Sequence, residues 1–167
     1  MEKGYKNTIP TLYILCGLPF SGKSLLSKEI MRTTSIQRIS FDDRWNTFKN
    51  LDKGISYEET HRKVEEEITK NLEMGVSIIY DSTNLSVKNR DALKTLAKRA
   101  HAQAKIIYLK VPPEEIYKRR GQSLIDKSHI NVLSDKEMQN AIDRLEVPTD
   151  CICLSTDEEK SKFLKNL

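Results

Sequence analysis

One stretch of the chain has residue types and spacing suited to holding a chain of phosphates. Residues 17–24 read Gly-Leu-Pro-Phe-Ser-Gly-Lys-Ser, which is the G-x-x-x-x-G-K-S pattern of a P-loop. Its glycines let the backbone approach a phosphate closely, and its lysine can reach the β- and γ-phosphates. Its last serine can place a hydroxyl on Mg²⁺. The predicted triphosphate-binding residues are Gly17, Leu18, Pro19, Phe20, Ser21, Gly22, Lys23, Ser24 and Leu25.

The segments on either side of this loop have the character that a P-loop needs. The apolar run from Leu12 to Cys16 suits a buried strand, and Leu25, Leu26 and Ile30 begin a helical spacing. Strand, glycine-rich turn and helix is the context in which the motif binds phosphate. The helix N-terminus adds a partial positive charge at the same place.

Short apolar runs alternate with amphipathic segments along the rest of the chain. This alternation predicts an α/β fold of three layers, a five-stranded parallel sheet with helices on both faces. We expect a single domain over residues 1–167, with a lid at about residues 119–133. The four further strands are predicted at residues 36–41, 76–80, 105–111 and 151–154.

The composition limits the class of protein. The chain has 167 residues, of which 38% are hydrophobic and 31% charged, so we expect a folded globular domain. No apolar run approaches the length of a membrane span, and the first ten residues contain no apolar signal core. We therefore expect a cytoplasmic protein with no membrane partner. The net charge of +4 does not by itself imply nucleic acid as a partner.

Acidic residues follow two of the predicted strands. Asp42 and Asp43 come after the second strand, and Asp81 comes after the third. Because ligands of such sheets bind outside the carboxyl ends of the strands, one crevice can hold these carboxylates and the P-loop together. Asp81 suits a carboxylate near Mg²⁺. We expect Asp43 to cap the following helix, and we expect His61, on the apolar stripe of another helix, to be a packed histidine rather than a catalytic one.

The order of these motifs resembles that of a known group of enzymes. Between about Leu12 and Leu154 the chain presents GLPFSGKS, FDDR, YDSTN and KRRG in succession. This order is similar to that of the P-loop kinases of the polynucleotide-kinase-like type, which are distantly related to zeta toxins. The resemblance implies an ATP- and Mg²⁺-dependent kinase that transfers the γ-phosphate to a hydroxyl group.

The same resemblance assigns catalytic roles. It implies that Lys23 binds the transferred phosphate and that Asp42 acts on the acceptor hydroxyl, as a carboxylate facing the γ-phosphate can do. The alternative for Asp42 is helix capping or water-mediated binding of Mg²⁺. Arg119 and Arg120 occupy the position of the lid arginines. Their alternative role is that of cations at the end of a helix.

Candidate acceptor-binding residues carry less specific signals. Arg44 lies two residues after Asp42, whereas the family usually has its arginine three residues after, so a surface salt bridge is the alternative. Thr83 and Asn84 can donate to acceptor or phosphate oxygens, or they can form a simple Asx-type turn. We also expect Arg90 to face the site.

The acceptor itself is open at this stage. It can be a 5′-hydroxyl of nucleic acid, a nucleoside or a small metabolite. Arg90, Lys94 and Lys98 share a helix face that can follow a nucleic acid backbone or simply face solvent. A nucleotide-binding switch or regulatory NTPase without a dedicated acceptor is the alternative function.

Overall fold

The computed structural model describes residues 9–126 and 133–167. Strands and helices alternate in this part of the chain. The strands are β1 (Thr11–Cys16), β2 (Gln37–Ser40), β3 (Ile78–Asp81), β4 (Gln103–Leu109) and β5 (Ile152–Leu154). The helices are α1 (Lys23–Thr33), α2 (Phe41–Leu51), α3 (Tyr57–Glu73), α4 (Val87–Arg99), α5 (Pro113–Asp126), α6 (Asp135–Asp143) and α7 (Asp157–Lys165).

The five strands form one parallel sheet in the order β2-β3-β1-β4-β5. The strand that leads into the P-loop, β1, therefore lies in the middle of the sheet between β3 and β4. The predicted parallel α/β sheet is confirmed, with strand ends displaced by one or two residues. The carboxyl ends of β1, β2 and β3 lie side by side, so the P-loop, Asp42 and Asp81 all leave the same edge.

Helices cover both faces of the sheet, as predicted. Helices α3 and α4 bury one apolar stripe each against one face, and α1 and α7 cover the other face. The stripe of α3 repeats every four residues, which places its apolar side chains on one side of the helix. Its fully covered members are Val64, Ile68 and Leu72.

The segment after β2 differs from its prediction. The second strand was predicted at residues 36–41, but β2 ends at Ser40 and α2 begins directly after it at Phe41. Ser40 is the N-cap, and its side chain accepts a hydrogen bond from the Asp43 N–H. The prediction that Asp43 itself caps the helix is therefore wrong. Because α2 begins here, Asp42 lies in its first turn, at the carboxyl edge of the sheet.

The predicted lid at residues 119–133 lies partly outside the described residues. Residues 119–126 form the end of α5, and nothing in them departs from the helix that precedes them. A third apolar cluster, formed by Leu18, Leu85, Ile116 and Met138, joins α5 and α6 to the P-loop. Among the described residues, no helix is both long enough and apolar enough to cross a membrane.

Candidate functional site

Two glycines give the P-loop its shape. A Cβ atom at Gly17 would lie 2.9 Å from the Ser21 Oγ and 3.0 Å from the Leu109 carbonyl oxygen, so no larger residue fits there. Gly22 precedes the first residue of α1 with a φ of 95°, a left-handed conformation that disfavours any residue with a side chain. The loop therefore turns tightly from β1 into the N-terminus of α1, where unpaired backbone N–H groups favour an anion.

Lys23 is buried within this turn. Its Nζ donates hydrogen bonds to the carbonyl oxygens of Gly17, at 3.0 Å, and of Leu18, at 2.7 Å. Desolvation lowers the pKa of Lys23 to about 8, and the negative charges of Asp81 and Asp42 oppose that shift. The ammonium group thus has neutral partners within the loop and two carboxylates nearby.

The other side chains of the loop point in different directions. Leu18 is buried in the cluster with Ile116 and Met138, and the Phe20 side chain packs against the same cluster. The Phe20 side chain therefore lies with the apolar contacts of α5 and α6. Leu25 is 77% exposed. Among the predicted loop residues, Lys23 and Ser24 offer polar side chains at the start of α1, and the rest of the loop offers its backbone.

Asp81 lies at the end of β3 in a buried network of polar groups. Its Oδ2 accepts hydrogen bonds from the Ser27 hydroxyl at 2.9 Å, the Arg38 Nε at 3.0 Å and the Arg38 Nη2 at 2.6 Å. Arg38 also pairs with Asp43 through its Nη1. One guanidinium thus joins the end of β3 to the first turn of α2, immediately beside Asp42.

Asp42 completes the set of charges at this edge of the sheet. Its side chain reaches solvent, yet desolvation by the surrounding protein raises its pKa, and the nearby Asp81 carboxylate adds to the effect. The Lys23 ammonium and the Arg38 guanidinium act in the opposite direction. These interactions show that Asp42, Asp81 and Lys23 lie within electrostatic reach of one another.

The two arginines at the end of α5 have different partners. The Arg119 Nη1 lies 3.4 Å from the carbonyl oxygens of both Phe20 and Ser21, and its Nε donates to Glu115 at 2.9 Å. Arg120 instead donates to the Leu133 carbonyl oxygen at 2.7 Å and pairs with Asp135. Of the two predicted lid arginines, the structure brings only Arg119 to the P-loop, while Arg120 joins α5 to the start of α6.

A family comparison covers most of the chain and the whole of this site. Residues 12–148 match the model of a family described as an AAA domain. The chain belongs to this AAA-domain family. A search of curated protein sequences finds no significant match.

Solved structures similar to this AAA-domain protein include several kinases. A putative kinase from Chloroflexus aurantiacus aligns with a TM-score of 0.73 and 16% identity, over 95% of this chain and 96% of the other. An APS kinase from Mycobacterium tuberculosis, in complex with AMPPNP and APS, aligns with a TM-score of 0.70 and 15% identity, over 94% of each chain. These two likenesses establish the fold. A chain of the Pnkp1/Rnl/Hen1 RNA repair complex aligns with a TM-score of 0.69 and 25% identity, over 84% of this chain and 46% of the other.

Thr83 and Asn84 support the P-loop in the AAA-domain structure. The Thr83 carbonyl oxygen accepts a hydrogen bond from the Gly17 N–H at 3.2 Å. The buried Asn84 side-chain amide donates to the Leu15 carbonyl oxygen at 2.8 Å, and the backbone of Asn84 has a φ of 45°. The prediction of Asn84 as a donor to a substrate is corrected, because its amide already binds the backbone of β1. The role of the Thr83 hydroxyl stays a prediction, because the contact with Gly17 uses only the Thr83 carbonyl oxygen.

Arg44 and Arg90 are also committed to protein partners, contrary to their prediction as substrate ligands. Arg44 forms a bidentate ion pair with Glu67 of α3, which is the salt bridge considered as its alternative. Arg90 is 2% exposed and donates to the carbonyl oxygens of Asn84, Leu85 and Glu146. A basic face of α4 for nucleic acid therefore lacks Arg90, its first predicted member.

Arg38 is the site residue that sequence reasoning missed. The sequence feature that could have pointed to Arg38 is its position within a predicted apolar strand, four residues before an acidic pair. A charged side chain in such a strand requires a partner, because an unpaired buried charge is strongly unfavourable. Three candidate carboxylates follow the predicted strands, at Asp42, Asp43 and Asp81, and the structure pairs Arg38 with the last two.

Proposed function

We propose that this protein is an ATP- and Mg²⁺-dependent kinase that transfers the γ-phosphoryl group to a hydroxyl acceptor. The observation that carries the proposal is the meeting of Lys23, Asp42 and Asp81 at one edge of the sheet, with Arg119 approaching the same loop from α5. To hold phosphates, a nucleotide-binding loop needs its backbone N–H groups and the lysine. A carboxylate beside the transferred group and a second cation are what phosphoryl transfer adds.

The donor side is formed by the P-loop and the start of α1. In this proposal the loop N–H groups and the Lys23 ammonium hold the β- and γ-phosphates. The carbonyl partners of Lys23 are neutral, so its ammonium can exchange them for phosphate oxygens. The exposed Ser24 hydroxyl fits Mg²⁺, which when bound would neutralise charge on the phosphate oxygens. Asp81 fits a supporting position near that ion, since Arg38 and Ser27 already bind its Oδ2.

The acceptor side is formed around Asp42. The Asp42 carboxylate accepts the proton of the acceptor hydroxyl as the new bond between oxygen and the γ-phosphorus forms and the bond to the β-phosphate oxygen breaks, releasing ADP. Its raised pKa makes it a better proton acceptor than an ordinary aspartate.

Arg119 acts in this proposal on the charge that spreads over the transferred group. Its Nη1 lies at the long distance of 3.4 Å from two loop carbonyl oxygens, so these contacts are weak and exchangeable. A guanidinium is suited to the equatorial oxygens of a phosphoryl group. The ion pair with Glu115 holds the side chain on the face of α5 that looks toward the loop.

The comparisons support this proposal at the level of the fold and the donor. One structural neighbour was solved with AMPPNP, another is a gluconokinase, and a third belongs to an RNA repair complex. The last of these has the highest identity of the three and agrees with the resemblance to polynucleotide-kinase-like enzymes. The acceptors of these neighbours differ widely, so the acceptor has to be argued from this chain's own residues.

Substitution of Asp42 tests the proposed reaction. Asp42→Asn removes the proton acceptor but keeps the size of the side chain, so we expect the rate of phosphoryl transfer to fall by about 10²–10⁴. The affinity for ATP should stay within about threefold, because the donor residues are unchanged. Transfer is measured with γ-labelled ATP and pooled hydroxyl compounds, and ATP affinity by calorimetry.

Asp43→Asn is the matched control for this experiment. It changes the next carboxylate in the same helical turn, whose partner is Arg38 rather than Lys23. We expect this variant to keep most of the transfer rate. If Asp42→Asn keeps it equally well, Asp42 is not the base and the proposed mechanism is wrong.

A further inference from the structure

A small cavity lies on the acceptor side of the site, and its chemistry limits what the acceptor can be. The cavity has a volume of about 200 Å³ and lies between α3, the end of β3 and α4. Two rings and three polar side chains dominate its lining, from His61, Tyr80, Glu65, Asn84 and Asn89. Its volume is below the roughly 300–1,000 Å³ of ordinary ligand pockets, so the cavity suits a compact ligand, and its ring faces and converging polar groups are features of a small-molecule site.

A group of stacked rings connects this cavity to Asp42. The ring of Phe41, the residue before Asp42, stacks on the His61 ring at 4.2 Å between centroids. Tyr57 packs on both, at 4.7 Å from Phe41 and 4.9 Å from His61. Burial is the main cause that raises the pKa of Tyr57 and of Tyr80, and the Asp42 carboxylate adds to both shifts, so both phenol groups lie within its electrostatic reach. The cavity is therefore beside the proposed proton acceptor.

Glu65 is the one carboxylate among the described residues that line the cavity, and that lining contains no lysine or arginine. Burial lowers the pKa of His61, and the nearby Glu65 carboxylate opposes that shift. Across the described residues, no lysine or arginine lies within ion-pair distance of Glu65. Other glutamates of α3 do have cationic partners: Glu59 and Glu66 pair with Arg62, and Glu67 pairs with Arg44.

The nearby cations do not balance this charge. Arg44 is occupied by Glu67, and Arg90 donates to backbone carbonyl oxygens. Glu65 also borders the wider groove between α3 and α4, which Lys70 and Arg99 line, but these two cations do not line this cavity. An acceptor with a phosphate or carboxylate in the cavity would meet Glu65 without a compensating cation, which is unfavourable in a partly desolvated site.

We propose that the cavity binds a small hydroxyl compound that carries an amine, with Glu65 pairing the ammonium and the rings of His61 and Tyr80 forming the walls. This assignment rests on the proposed kinase activity and specifies its acceptor class. A carboxylate beside aromatic faces is the arrangement that recognises organic cations, because the ring faces are electronegative and the carboxylate supplies the opposite charge. The acceptor hydroxyl then points toward Asp42, and the ammonium points away from it.

The first test compares acceptors that differ mainly in charge. The protein is incubated with γ-labelled ATP and, separately, glucosamine, glucose, gluconate, pooled amino alcohols, pooled neutral polyols, pooled phosphorylated sugars, and 5′-hydroxyl oligonucleotides. We expect kcat/KM to be highest for the amine-bearing members. Preferential labelling of the neutral, acidic or phosphorylated compounds, or of the oligonucleotides, would overturn the assignment.

The second test removes the charge of Glu65 alone. Glu65→Gln should raise KM for the best amine-bearing acceptor by about tenfold or more, with kcat and KM for ATP nearly unchanged. KM for the matched neutral acceptor should not rise. The control is Glu66→Gln on the same helix, which removes a charge that already pairs with Arg62 and does not line the cavity. Equal effects of the two substitutions would contradict a specific role for Glu65.

Failure of this inference differs from failure of the proposed function. If label enters a hydroxyl compound and Asp42→Asn abolishes that labelling, the kinase proposal holds. The acceptor class is then decided by the charge of the labelled compounds and by the effect of Glu65→Gln on KM. If ATP binds but no acceptor is labelled, both proposals are contradicted. If Asp42→Asn keeps full transfer, the site beside Asp42 is not the acceptor site, whatever the charge preference.

Discussion

We expect removal of Arg38 to lower the free energy of unfolding more than removal of any other single cation in the described part of the protein. Its side chain is 10% exposed, that of its partner Asp81 is 4% exposed, and the guanidinium approaches the Asp81 Oδ2 to 2.6 Å. Arg38→Gln leaves the Asp81 charge buried, and among the described residues the Ser27 hydroxyl is then its remaining hydrogen-bond donor. Breaking a buried ion pair on one side typically costs about 3–5 kcal/mol of stability. For a chain of this size that corresponds to a fall in melting temperature of roughly 10 °C.

Arg44→Gln provides the matched control. Arg44 also forms a bidentate pair, with Glu67, but the two side chains are 33% and 32% exposed. Pairs that are open to solvent contribute only about 0–1 kcal/mol. The free energy of unfolding is measured by urea denaturation for both variants in parallel, at one pH and one salt concentration. A difference of less than about 1 kcal/mol between them would refute the argument from burial.

A double substitution separates the loss of the pair from the loss of either residue. In Arg38→Gln with Asp81→Asn, the buried carboxylate charge is removed together with its partner and the exposed Asp43 loses its ion pair, so the double variant should be more stable than Arg38→Gln alone. The coupling free energy from this cycle should exceed about 1 kcal/mol, since the two groups are in direct contact. Additive effects would show that the two residues act independently, and the proposed link between the end of β3 and the first turn of α2 would then be wrong.

Two further predictions concern the other buried cations. The first concerns Lys23, whose pKa in the folded protein is lowered to about 8. Between about pH 8 and the ordinary lysine pKa, the unfolded chain therefore binds more protons than the folded one. The contribution of Lys23 to the free energy of unfolding should rise with pH through that window. The affinity for ATP should instead fall above about pH 8, because the ammonium form of Lys23 is the one that binds phosphate. Calorimetry at pH 7 to 9.5 measures this fall. Lys23→Arg, which keeps its charge over this range, should show no such fall. Arg90→Met should leave the carbonyl oxygens of Asn84, Leu85 and Glu146 without their donor and destabilise the protein by about 2–4 kcal/mol in urea denaturation. The effect of Arg90→Met should exceed that of Lys94→Met, whose partner Asp91 is 3.7 Å away at the surface, and equal effects would contradict a structural role for Arg90.

The sequence was sufficient for the parallel sheet, the P-loop and the positions of Asp42 and Asp81. Those features follow from local patterns: apolar runs, glycine spacing and carboxylates directly after strands. The partners of the arginines do not follow from local patterns. Arg44 pairs with Glu67 across 23 positions, and Arg38 reaches Asp81 across 43. Whether an arginine binds a substrate or stabilises the fold depends on which carboxylate or carbonyl oxygen the folded chain places beside it. The sequence offers several such partners for each arginine and does not show which one is chosen.

The partners of the cations also explain how the site can be stable and still bind phosphate. Arg38 and Arg90 have short contacts with buried carboxylate or carbonyl oxygens, so exchanging these contacts for a ligand would leave buried acceptors unpaired. Lys23 and Arg119 instead contact carbonyl oxygens of the P-loop itself. In the proposed function, a phosphate that enters the loop would give Lys23 a charged partner in place of a neutral one, and it would give Arg119 a second charged partner beside Glu115. These two cations are available to a nucleotide because the carbonyl oxygens that they contact belong to the loop that would surround the phosphates.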